Sequence, residues 1–305
     1  MDRAFDRLVE RMGERLIDDE LRSMIDRIPT ELNELGYDDW GFDPHVAVWA
    51  VAIGRWFYRN YFRVESEGIE NIPATRALVI ANHGGQLPVE GFMLGTTVAL
   101  EADPPRVLRG MVERWMPTIP FISPLFFRCG QIVGTREDCT SLLNRDEAVM
   151  VFPEGTRGSG KTLWDAYELQ RFGHGFMRIA LATGTPIIPV GIVGHEESIP
   201  SVAKLASLSK LLGIPYVYVP ASLPFLGPLA LLPMPTKFYI QIGEPMFFEG
   251  SPDATEREVA LKVEEVKDAI RGLIDRGLEK RRGIFEFGIE ERVRHMLGMD
   301  IEASQ

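Results

Sequence analysis

The first part of the chain carries helical patterns. Apolar residues between positions 4 and 28 recur near a 3.6-residue period, which predicts an amphipathic helix that ends before Pro29. Residues 46–62 predict a second helix, rich in Val, Ala and aromatic residues and interrupted only by two arginines and an asparagine. Aromatic residues beside arginines suit a helix at a membrane interface, and packing on the protein core is an equal alternative. Residues 1–62 are therefore expected to form a helical region with either role.

From residue 77 the pattern changes to short apolar or β-branched runs that alternate with helical segments. The predicted strands are Ala77–Ala81, Gln131–Val133, Ala148–Phe152, Pro186–Ile192 and Lys237–Ile242. The predicted helices cover about 91–101, 138–144, 164–183 and 255–279. This alternation predicts an α/β fold with a mixed, mostly parallel sheet flanked by helices. We expect a central domain over residues 63–250 and a C-terminal helical segment, packing on it or extending from it, over 251–305.

A proline-rich segment, residues 198–235, interrupts this alternation. It contains many leucines and seven prolines. Because proline at that density excludes a long helix, the segment is expected to run over the surface as an extended apolar excursion. Such a segment could wall a groove for an apolar chain, or it could be a packed loop. Further on, Lys280-Arg281-Arg282 predicts a solvated helical tail.

Composition and charge narrow the classes of function. The 305 residues are 45% hydrophobic and 25% charged, as in an ordinary globular protein. The formal net charge of −11 argues against a protein that neutralises nucleic-acid phosphates, so no nucleic-acid partner is expected. The same acidity disfavours purely electrostatic adhesion to anionic lipid. Any membrane contact is therefore expected to depend on apolar surface.

The cysteines and the N-terminus bear on location. Cys129 and Cys139 have no metal-type spacing and are expected to be free thiols in a reducing compartment. The first residues are charged and lack the apolar core of a signal peptide. No run reaches the roughly 18 apolar residues that a spanning helix needs. We therefore expect a cytoplasmic protein.

The segment from Asn82 to Glu90 is the first candidate for chemistry. His83 directly follows a predicted strand and precedes two glycines, which puts it at the carboxyl end of the sheet, where α/β folds bind ligands. A histidine titrates near neutrality and can remove a proton from a hydroxyl if a partner fixes its tautomer. Glu90 is the nearest carboxylate after it. A structural histidine in a glycine-rich loop is the alternative.

The segment from Val151 to Gly158 is the second candidate. It follows the predicted strand at 148–152 and contains the run Phe-Pro-Glu-Gly-Thr-Arg. The planar fork of Arg157 can bind an anionic oxygen, and glycines let backbone N–H groups approach a phosphate. A purely structural turn is the alternative.

A competing motif overlaps the second candidate. Gly155–Thr162 fits the spacing GxxxxGK[ST] of the nucleotide-binding phosphate loop, between a predicted strand and a predicted helix. Such proteins also need a strand that ends in Asp to hold magnesium, and no predicted strand does so. The loop also lies near the middle of the chain and not in an early βα unit. Nucleotide binding is kept as the alternative function.

Four blocks taken together resemble the glycerophospholipid acyltransferase family, which includes 1-acylglycerol-3-phosphate and lysophospholipid acyltransferases. The similarity covers roughly residues 60–245. In chain order the blocks are Asn82-His83, Gly130–Arg136, Phe152–Arg157 and Thr185–Val190. The third block matches the family pattern without a mismatch and is the most specific.

The resemblance implies a fatty acyl thioester donor, on coenzyme A or acyl carrier protein, and a glycerolipid hydroxyl as acceptor. It implies His83 as the catalytic base, and no metal or cofactor. The residues implied for binding the acceptor or its phosphate are Arg136, Glu154, Gly155, Thr156 and Arg157. The residues implied for the acyl-donor region are Pro186 and Pro189. A protein of this kind is expected on the inner face of the cell membrane as a peripheral protein.

The first block departs from the family pattern. The family has histidine, four intervening residues and then aspartate, but here the fifth position after His83 is Pro88. Glu90, seven positions after His83, is the carboxylate available instead. A turn through the glycines and Pro88 could let the longer Glu90 side chain reach the ring. The alternative is a lost catalytic pair and an inactive, lipid-binding protein.

Overall fold

A seven-stranded sheet forms the centre of the protein in the computed structural model, which describes residues 16–84, 87–113, 116–118, 122–205, 209 and 217–285. Its strands are β1 (Glu65–Glu67), β2 (Ala77–Ala81), β3 (Leu108–Val112), β4 (Ile132–Val133), β5 (Ala148–Val151), β6 (Ile187–Val193) and β9 (Tyr239–Ile242). Their order is β1-β9-β6-β2-β5-β3-β4, and β7 (Ser201–Lys204) and β8 (Tyr218–Pro220) form a separate hairpin. All pairings in the large sheet are parallel except the antiparallel β6–β9 pair. The predicted mixed, mostly parallel sheet is confirmed.

The central strand β2 determines which loops of the sheet lie next to one another. All five residues of β2 are buried, as expected for a strand covered on both faces. It pairs in parallel with β5 on one side and β6 on the other, with Val79 opposite Met150 and Ile188. The carboxyl ends of three neighbouring strands therefore lie at one edge of the sheet.

Helices cover both faces of the sheet. They are α1 (Asp19–Asp26), α2 (Pro44–Trp56), α3 (Val89–Glu101), α4 (Ile122–Arg128), α5 (Arg136–Asn144), α6 (Gly175–Thr183), α7 (Leu223–Leu226) and α8 (Glu256–Lys280). Leu78 and Ile80 of β2 pack in one core with α5, α6 and α8. Ala77, Val79 and Ala81 face the opposite core, which includes α3. The flanking helices expected from the sequence are confirmed.

The C-terminal helix α8 belongs to the core of the fold. A capping box between Thr255 and Glu258 starts it, and its apolar face packs on β6. The approach is so close that a Cβ on Gly191 would lie 2.6 Å from the Leu273 Cβ. The helix ends at Lys280, and Arg281 turns back to pair with Glu197. The predicted solvated tail is therefore wrong for Arg281, and residues 286–305 lie outside the described part of the chain.

The N-terminal helices pack against the domain. Within the helix predicted at 4–28, residues 1–15 lie outside the described part of the chain, and α1 forms most of the rest. The helix predicted at 46–62 begins at Pro44, capped by the Asp43 side chain, and passes into a π-helical turn at Phe57–Tyr61. Buried residues of α1, α2 and α3 share one cluster, so α2 packs on the core along one side. None of the described helices is long and apolar enough to cross a membrane.

Two stretches differ from the sequence-based prediction. The helix expected over 164–183 begins only at Gly175, because Glu196 and Glu154 accept hydrogen bonds from backbone N–H groups at Tyr167 and Gln170. Those bonds hold the stretch in an irregular path. The proline-rich segment forms the β7–β8 hairpin, α7 and a 3₁₀ turn at Gly227–Leu231. The strands β1, β3, β7 and β8 were not predicted from the sequence. Both cysteines are free as expected.

Candidate active site

His83 follows β2 directly, and Asn82 fixes its backbone position. The buried Asn82 side chain donates to the Ile192 carbonyl at 3.0 Å and accepts from the Ile192 N–H at 2.8 Å. Its amide thus acts as one more backbone unit in the β2–β6 pairing. The loop that carries His83 therefore starts from a fixed point at the carboxyl edge of the sheet.

Glu90 reaches His83, which is the first of the two alternatives left open by the sequence. It lies in the first turn of α3, fully buried, and one carboxylate oxygen hydrogen-bonds the Nδ1 of His83. Burial alone would raise the pKa of Glu90, but the charge and hydrogen bond of His83 outweigh it and the pKa is lowered. The N-terminus of α3 adds a favourable dipole for the carboxylate. Glu90 therefore holds the proton on Nδ1 and leaves Nε2 as the nitrogen that can accept one.

Glu154 holds the backbone of His83 in position. It is buried, and one of its oxygens accepts from the backbone N–H of His83 at 2.8 Å. The other oxygen accepts from the N–H of Gln170 at 2.8 Å and lies 3.2 Å from the ammonium of Lys161. The neighbouring Phe152 ring lies against the imidazole, with ring centroids 4.8 Å apart. The third sequence block thereby packs on the first, and both Glu154 oxygens have partners inside the protein.

The Ser159 hydroxyl is hydrogen-bonded to Nε2, the other nitrogen of the His83 imidazole. Its hydroxyl oxygen lies 2.5 Å from the Nε2 of His83, and the residue is buried. Because Nδ1 carries the proton shared with Glu90, the Ser159 O–H donates to Nε2. The chain could not approach so closely with a side chain at Gly158, where a Cβ would lie 2.8 Å from the His83 Cβ.

Lys161 balances two buried carboxylates. Its side chain is 2% exposed, and the ammonium lies 3.2 Å from Glu154 and 3.1 Å from Glu196. Burial raises the pKa of Glu196 to about 7, against the opposing effect of Lys161. The other Glu196 oxygen accepts from the backbone N–H of Tyr167 at 2.9 Å. Lys161 therefore holds the loops after β5 and β6 together.

His195 is a second buried histidine beside the site. It follows β6 by two residues, and a Cβ on Gly84 would lie 2.8 Å from its Nε2. Neither ring nitrogen has a hydrogen-bond partner among the described residues. Burial lowers the pKa of His195 to about 4. The ring is therefore neutral near neutral pH.

The predicted acceptor residues lie at the same edge of the sheet. Gly155, with φ of +54°, begins a 3₁₀ turn that ends at Arg157, and Thr156 and Arg157 are exposed. Arg136 is the first residue of α5 and is also exposed. The roles assigned to these residues in acceptor binding stay predictions.

The predicted donor residues lie within the sheet. Pro189 is buried in β6 opposite Ile80, and its carbonyl accepts from the N–H of Gly243 at 2.8 Å. Pro186 precedes β6, near the amino end of the strand and opposite the edge that carries His83. The structure thus does not bring Pro186 to the histidine, and the donor role of both prolines stays a prediction.

The nucleotide-loop interpretation does not fit this geometry. The helix that should follow Gly155–Thr162 is absent from the described chain there, since a 3₁₀ turn at Leu163–Asp165 follows and α6 begins only at Gly175. The lysine that should contact a phosphate is buried between two carboxylates. No cluster of three or more potential metal-ligating His, Cys, Asp or Glu side chains occurs in the described ranges.

An apolar cavity lies between α1, α2 and α3 on the side of the site. Several of its lining residues are small, including Ala47, Ala50, Gly91 and Gly95. Gly91 follows Glu90, and a Cβ there would lie 3.3 Å from the Phe152 ring that packs on His83. Among the lining residues, Gly91 is the one that adjoins Glu90 in the chain.

Sequence reasoning missed Ser159, Lys161, His195 and Glu196. The last two could have been found, because they follow a predicted strand by the same rule that identified His83. Ser159 and Lys161 carried no such signal, since their contacts depend on how the loop after β5 folds back. Their motif match pointed to a phosphate instead.

Comparisons with known proteins place this site in a family. Residues 63–193 match the family model described as Acyltransferase. An uncharacterized protein of Mycobacterium leprae is 39% identical over 254 residues, covering 81% of this chain and 69% of that protein. A Mus musculus protein named "DGAT1/2-independent enzyme synthesizing storage lipids" is 25% identical over 237 residues, covering 77% of this chain and 63% of that protein.

The fold has a counterpart among solved structures. The crystal structure of the 1-acyl-sn-glycerophosphate (LPA) acyltransferase PlsC from Thermotoga maritima aligns with a TM-score of 0.50 and 19% identity. The alignment covers 78% of this chain and 80% of that one, and the likeness concerns the fold. Taken with the family match and the relatives, the site belongs to an acyltransferase-type α/β protein. The chain is a member of the acyltransferase family, and the resemblance found in the four blocks is confirmed.

The buried His195 generates a prediction about stability and pH. Its pKa of about 4, below the ordinary 6.5, means that the folded protein resists a proton that the unfolded chain binds. His195 therefore contributes stability that is complete above pH 6.5 and is lost as pH falls towards 4, by up to about 3 kcal/mol. His195→Leu should cost little at pH 7, since no hydrogen bond to a described residue is lost, and should remove this acid sensitivity.

Urea unfolding of wild type and His195→Leu at pH 7 and pH 5 measures the effect. Glu196 makes the opposite contribution, because its raised pKa favours folding as pH falls, but it is present in both proteins. A substitution at the exposed His45 is the control. Equal pH dependence in wild type and His195→Leu would contradict the prediction.

Proposed function

We propose that the protein transfers a fatty acyl group from an acyl thioester, on coenzyme A or acyl carrier protein, to the hydroxyl of a glycerolipid such as a lysophospholipid or lysophosphatidic acid. The observation that carries the proposal is the pairing of His83 with the buried Glu90. A histidine whose tautomer is fixed by a carboxylate is suited to remove a hydroxyl proton. The intact pair also argues against an inactive, lipid-binding protein.

The proposed reaction proceeds in one transfer step without a covalent enzyme intermediate. The Nε2 of His83 takes the acceptor hydroxyl proton, and Glu90 stabilises the imidazolium. The acceptor oxygen attacks the thioester carbonyl, the carbon–sulfur bond breaks, and the thiolate leaves with the proton from His83. A backbone N–H group of the turn after His83 is a candidate donor to the oxyanion. The N–H of Gly84 donates to the Glu90 carboxylate at 3.4 Å in this structure, so it would have to exchange that partner for the oxyanion. The residues supply this chemistry without a metal or cofactor.

The acceptor head group is proposed to bind the exposed residues at the carboxyl edge. Arg136 and Arg157 supply cations for a phosphate, and Thr156 supplies a hydroxyl. Glu154 serves the same site indirectly, because its oxygens bind the backbone of His83 and Gln170. It positions the turn that carries Thr156 and Arg157.

The acyl chain is proposed to lie in the apolar cavity between α2 and α3. The cavity adjoins Glu90 through Gly91, so a chain there would have its carbonyl end near His83. The lining residues that α3 contributes include Gly91, Gly95 and Ala99. The fit between an apolar cavity and an apolar chain supports the proposal.

The protein is proposed to bind the inner face of the cell membrane peripherally, through the proline-rich segment. Residues 211–236 contain no Asp, Glu, Lys or Arg. Exposed apolar side chains project from this segment at Leu223, Phe225, Leu226, Leu229, Leu231 and Leu232. Its β8 residue Tyr218 adjoins the site, since a Cβ on Gly160 would lie 2.7 Å from the Tyr218 hydroxyl. A lipid substrate in a bilayer would thus be presented beside the catalytic pair.

Replacing the catalytic pair tests the proposed reaction. His83→Ala should reduce acyl transfer on the order of 10²–10⁴-fold, because the acceptor hydroxyl loses its base. Glu90→Gln should also cost much of the rate, because the imidazolium loses its counter-charge. The assay is thiol release from acyl-coenzyme A across a panel of lysolipids, with the acylated product identified by mass spectrometry.

Asp138→Asn is the control, because the Asp138 carboxylate bonds Thr135 and Trp40 and not the histidine. Substantial turnover by His83→Ala, or acceptor-dependent thiol release by no lysolipid with the wild type, would overturn the assignment. A neutral Glu90→Gln would assign the orienting role to another carboxylate.

Narrowing the cavity tests the acyl-chain site. A Cβ at Gly95 would meet no atom within 4 Å, so Gly95→Leu fills the cavity without a backbone clash at that position. The ratio of palmitoyl to octanoyl transfer should fall at least about tenfold, as expected when a methylene-sized part of a pocket is lost. Gly272→Leu is the matched control, an exposed α8 glycine whose Cβ position is equally open. An unchanged ratio would show that the acyl chain does not bind in this cavity.

Charge on the proline-rich segment tests membrane binding. The double change Phe225→Asp and Leu229→Asp should weaken binding to phosphatidylglycerol–phosphatidylethanolamine vesicles by about tenfold or more, because two apolar contacts are lost. Transfer to a water-soluble, short-chain acceptor should be unchanged. Leu261→Asp, at an exposed leucine of α8, is the control. Vesicle sedimentation that is equal for all proteins would contradict the proposal.

A further inference from the structure

The bond between Ser159 and His83 sets a condition that the proposed reaction has to meet. A neutral imidazole has one nitrogen lone pair, and in His83 that lone pair is on Nε2. The Ser159 oxygen lies 2.5 Å from it. An acceptor oxygen has to come to hydrogen-bond distance of the same nitrogen. The serine and the acceptor therefore compete for one position.

The surrounding chain holds Ser159 firmly in that position. A Cβ on Gly158 would lie 2.7 Å from the Glu154 Cβ, so this stretch packs directly on the block below His83. The Ser159 N–H donates to the Gly155 carbonyl at 3.3 Å, and the residue is 3% exposed. The hydroxyl is thus a built part of the site.

We propose that Ser159 determines the choice between lipid acceptor and water, by occupying Nε2 of His83 until an acceptor displaces it. The inference rests on the proposed acyl transfer. A water molecule at Nε2 would give its proton to His83, and its oxygen would bond the thioester carbon. The carbon–sulfur bond would break, the thiol would leave with the proton, and a free fatty acid would result. Ser159 suppresses this hydrolysis.

Water and a lipid acceptor differ in the binding energy that each gains when it displaces Ser159 from Nε2 of His83. Water that replaces the Ser159 hydroxyl gains one hydrogen bond and breaks an equivalent one. A glycerolipid acceptor brings the binding energy of its head group as well, which can be used to move a protein segment. The exposed Arg157 ends the 3₁₀ turn two residues before Ser159, and the Ser159 N–H donates to the Gly155 carbonyl of that turn. An anion held by Arg157 therefore acts on the turn that has to withdraw.

Ser159→Ala tests the inference through two rates measured on the same protein. With palmitoyl-coenzyme A and no acceptor, thiol release with fatty acid as product should rise about tenfold over wild type, the factor that one ordinary hydrogen bond represents. With lysolipid present, acyl transfer should persist. Thr97→Val, which also removes a buried hydroxyl, one that donates to the Met93 carbonyl, should leave both rates at the wild-type level.

Two results would overturn the inference. Acceptor-free hydrolysis by Ser159→Ala no faster than that of Thr97→Val would mean that the Ser159 hydroxyl does not keep water from His83. Loss of both transfer and hydrolysis in Ser159→Ala, with an acyl adduct on Ser159 in the intact mass of wild type, would make the serine a nucleophile instead.

A chemical readout separates this inference from the proposed function. Diethyl pyrocarbonate modifies a neutral imidazole nitrogen, so His83 should react faster in Ser159→Ala than in wild type, with the exposed His45 as internal reference. Equal His83 rates would overturn the inference. If wild type acylates no lysolipid, but Ser159→Ala shows both faster modification and faster hydrolysis, the proposed acceptor is wrong and the role of Ser159 against water stands.

Discussion

Parallel pairing of β2 between β5 and β6 is the constraint from which the site follows. It ends three strands at one edge, and the loops that leave them bring His83, Glu154 and Glu196 together. Carboxylates buried at such an edge need partners, since an unpaired buried charge is costly. Glu154 uses two backbone N–H groups, and Lys161 lies between both glutamates. The loops are thus fixed by the need to neutralise charge away from water.

Local sequence patterns predicted those parts of the site that depend on residues near one another in the chain. β2 was predicted with its observed bounds, because five apolar residues between turn residues leave little choice. The His83–Glu90 pair was predicted from chain proximity and the resemblance. The helix expected over 164–183 was too long by eleven residues, because its start depends on carboxylates in the loops after β5 and β6. No local propensity carries that information.

The rest of the site depends on contacts distant in sequence. Ser159 meets His83 across 76 positions, and Lys161 meets Glu196 across 35. By spacing alone, Lys161 after its glycines fits a nucleotide-binding phosphate loop. Its burial between two glutamates shows instead that it neutralises carboxylates inside the protein. The cavity beside Gly91 is equally invisible in sequence, since it depends on how α2 packs on α3.

The first block also shows how a histidine–carboxylate pair can form when the spacing between the two residues changes. The family's aspartate position is held by Pro88, and the carboxylate comes from Glu90 in the first turn of α3. A longer side chain compensates for a later position on the chain, and the helix terminus supplies a favourable field. The contact, and not the count of intervening residues, is what the chemistry needs.

The position of Glu154 has a consequence for how such a protein can diversify. Within Phe152–Arg157, Glu154 is buried and accepts a hydrogen bond from the His83 backbone, whereas Thr156 and Arg157 are exposed. Two adjoining parts of one short motif are therefore under separate demands. Under the proposed function, substitutions at the outward positions would change head-group preference and leave the geometry around His83 intact. Thr156 and Arg157 can therefore change during evolution, whereas Glu154 cannot change without disturbing the position of His83.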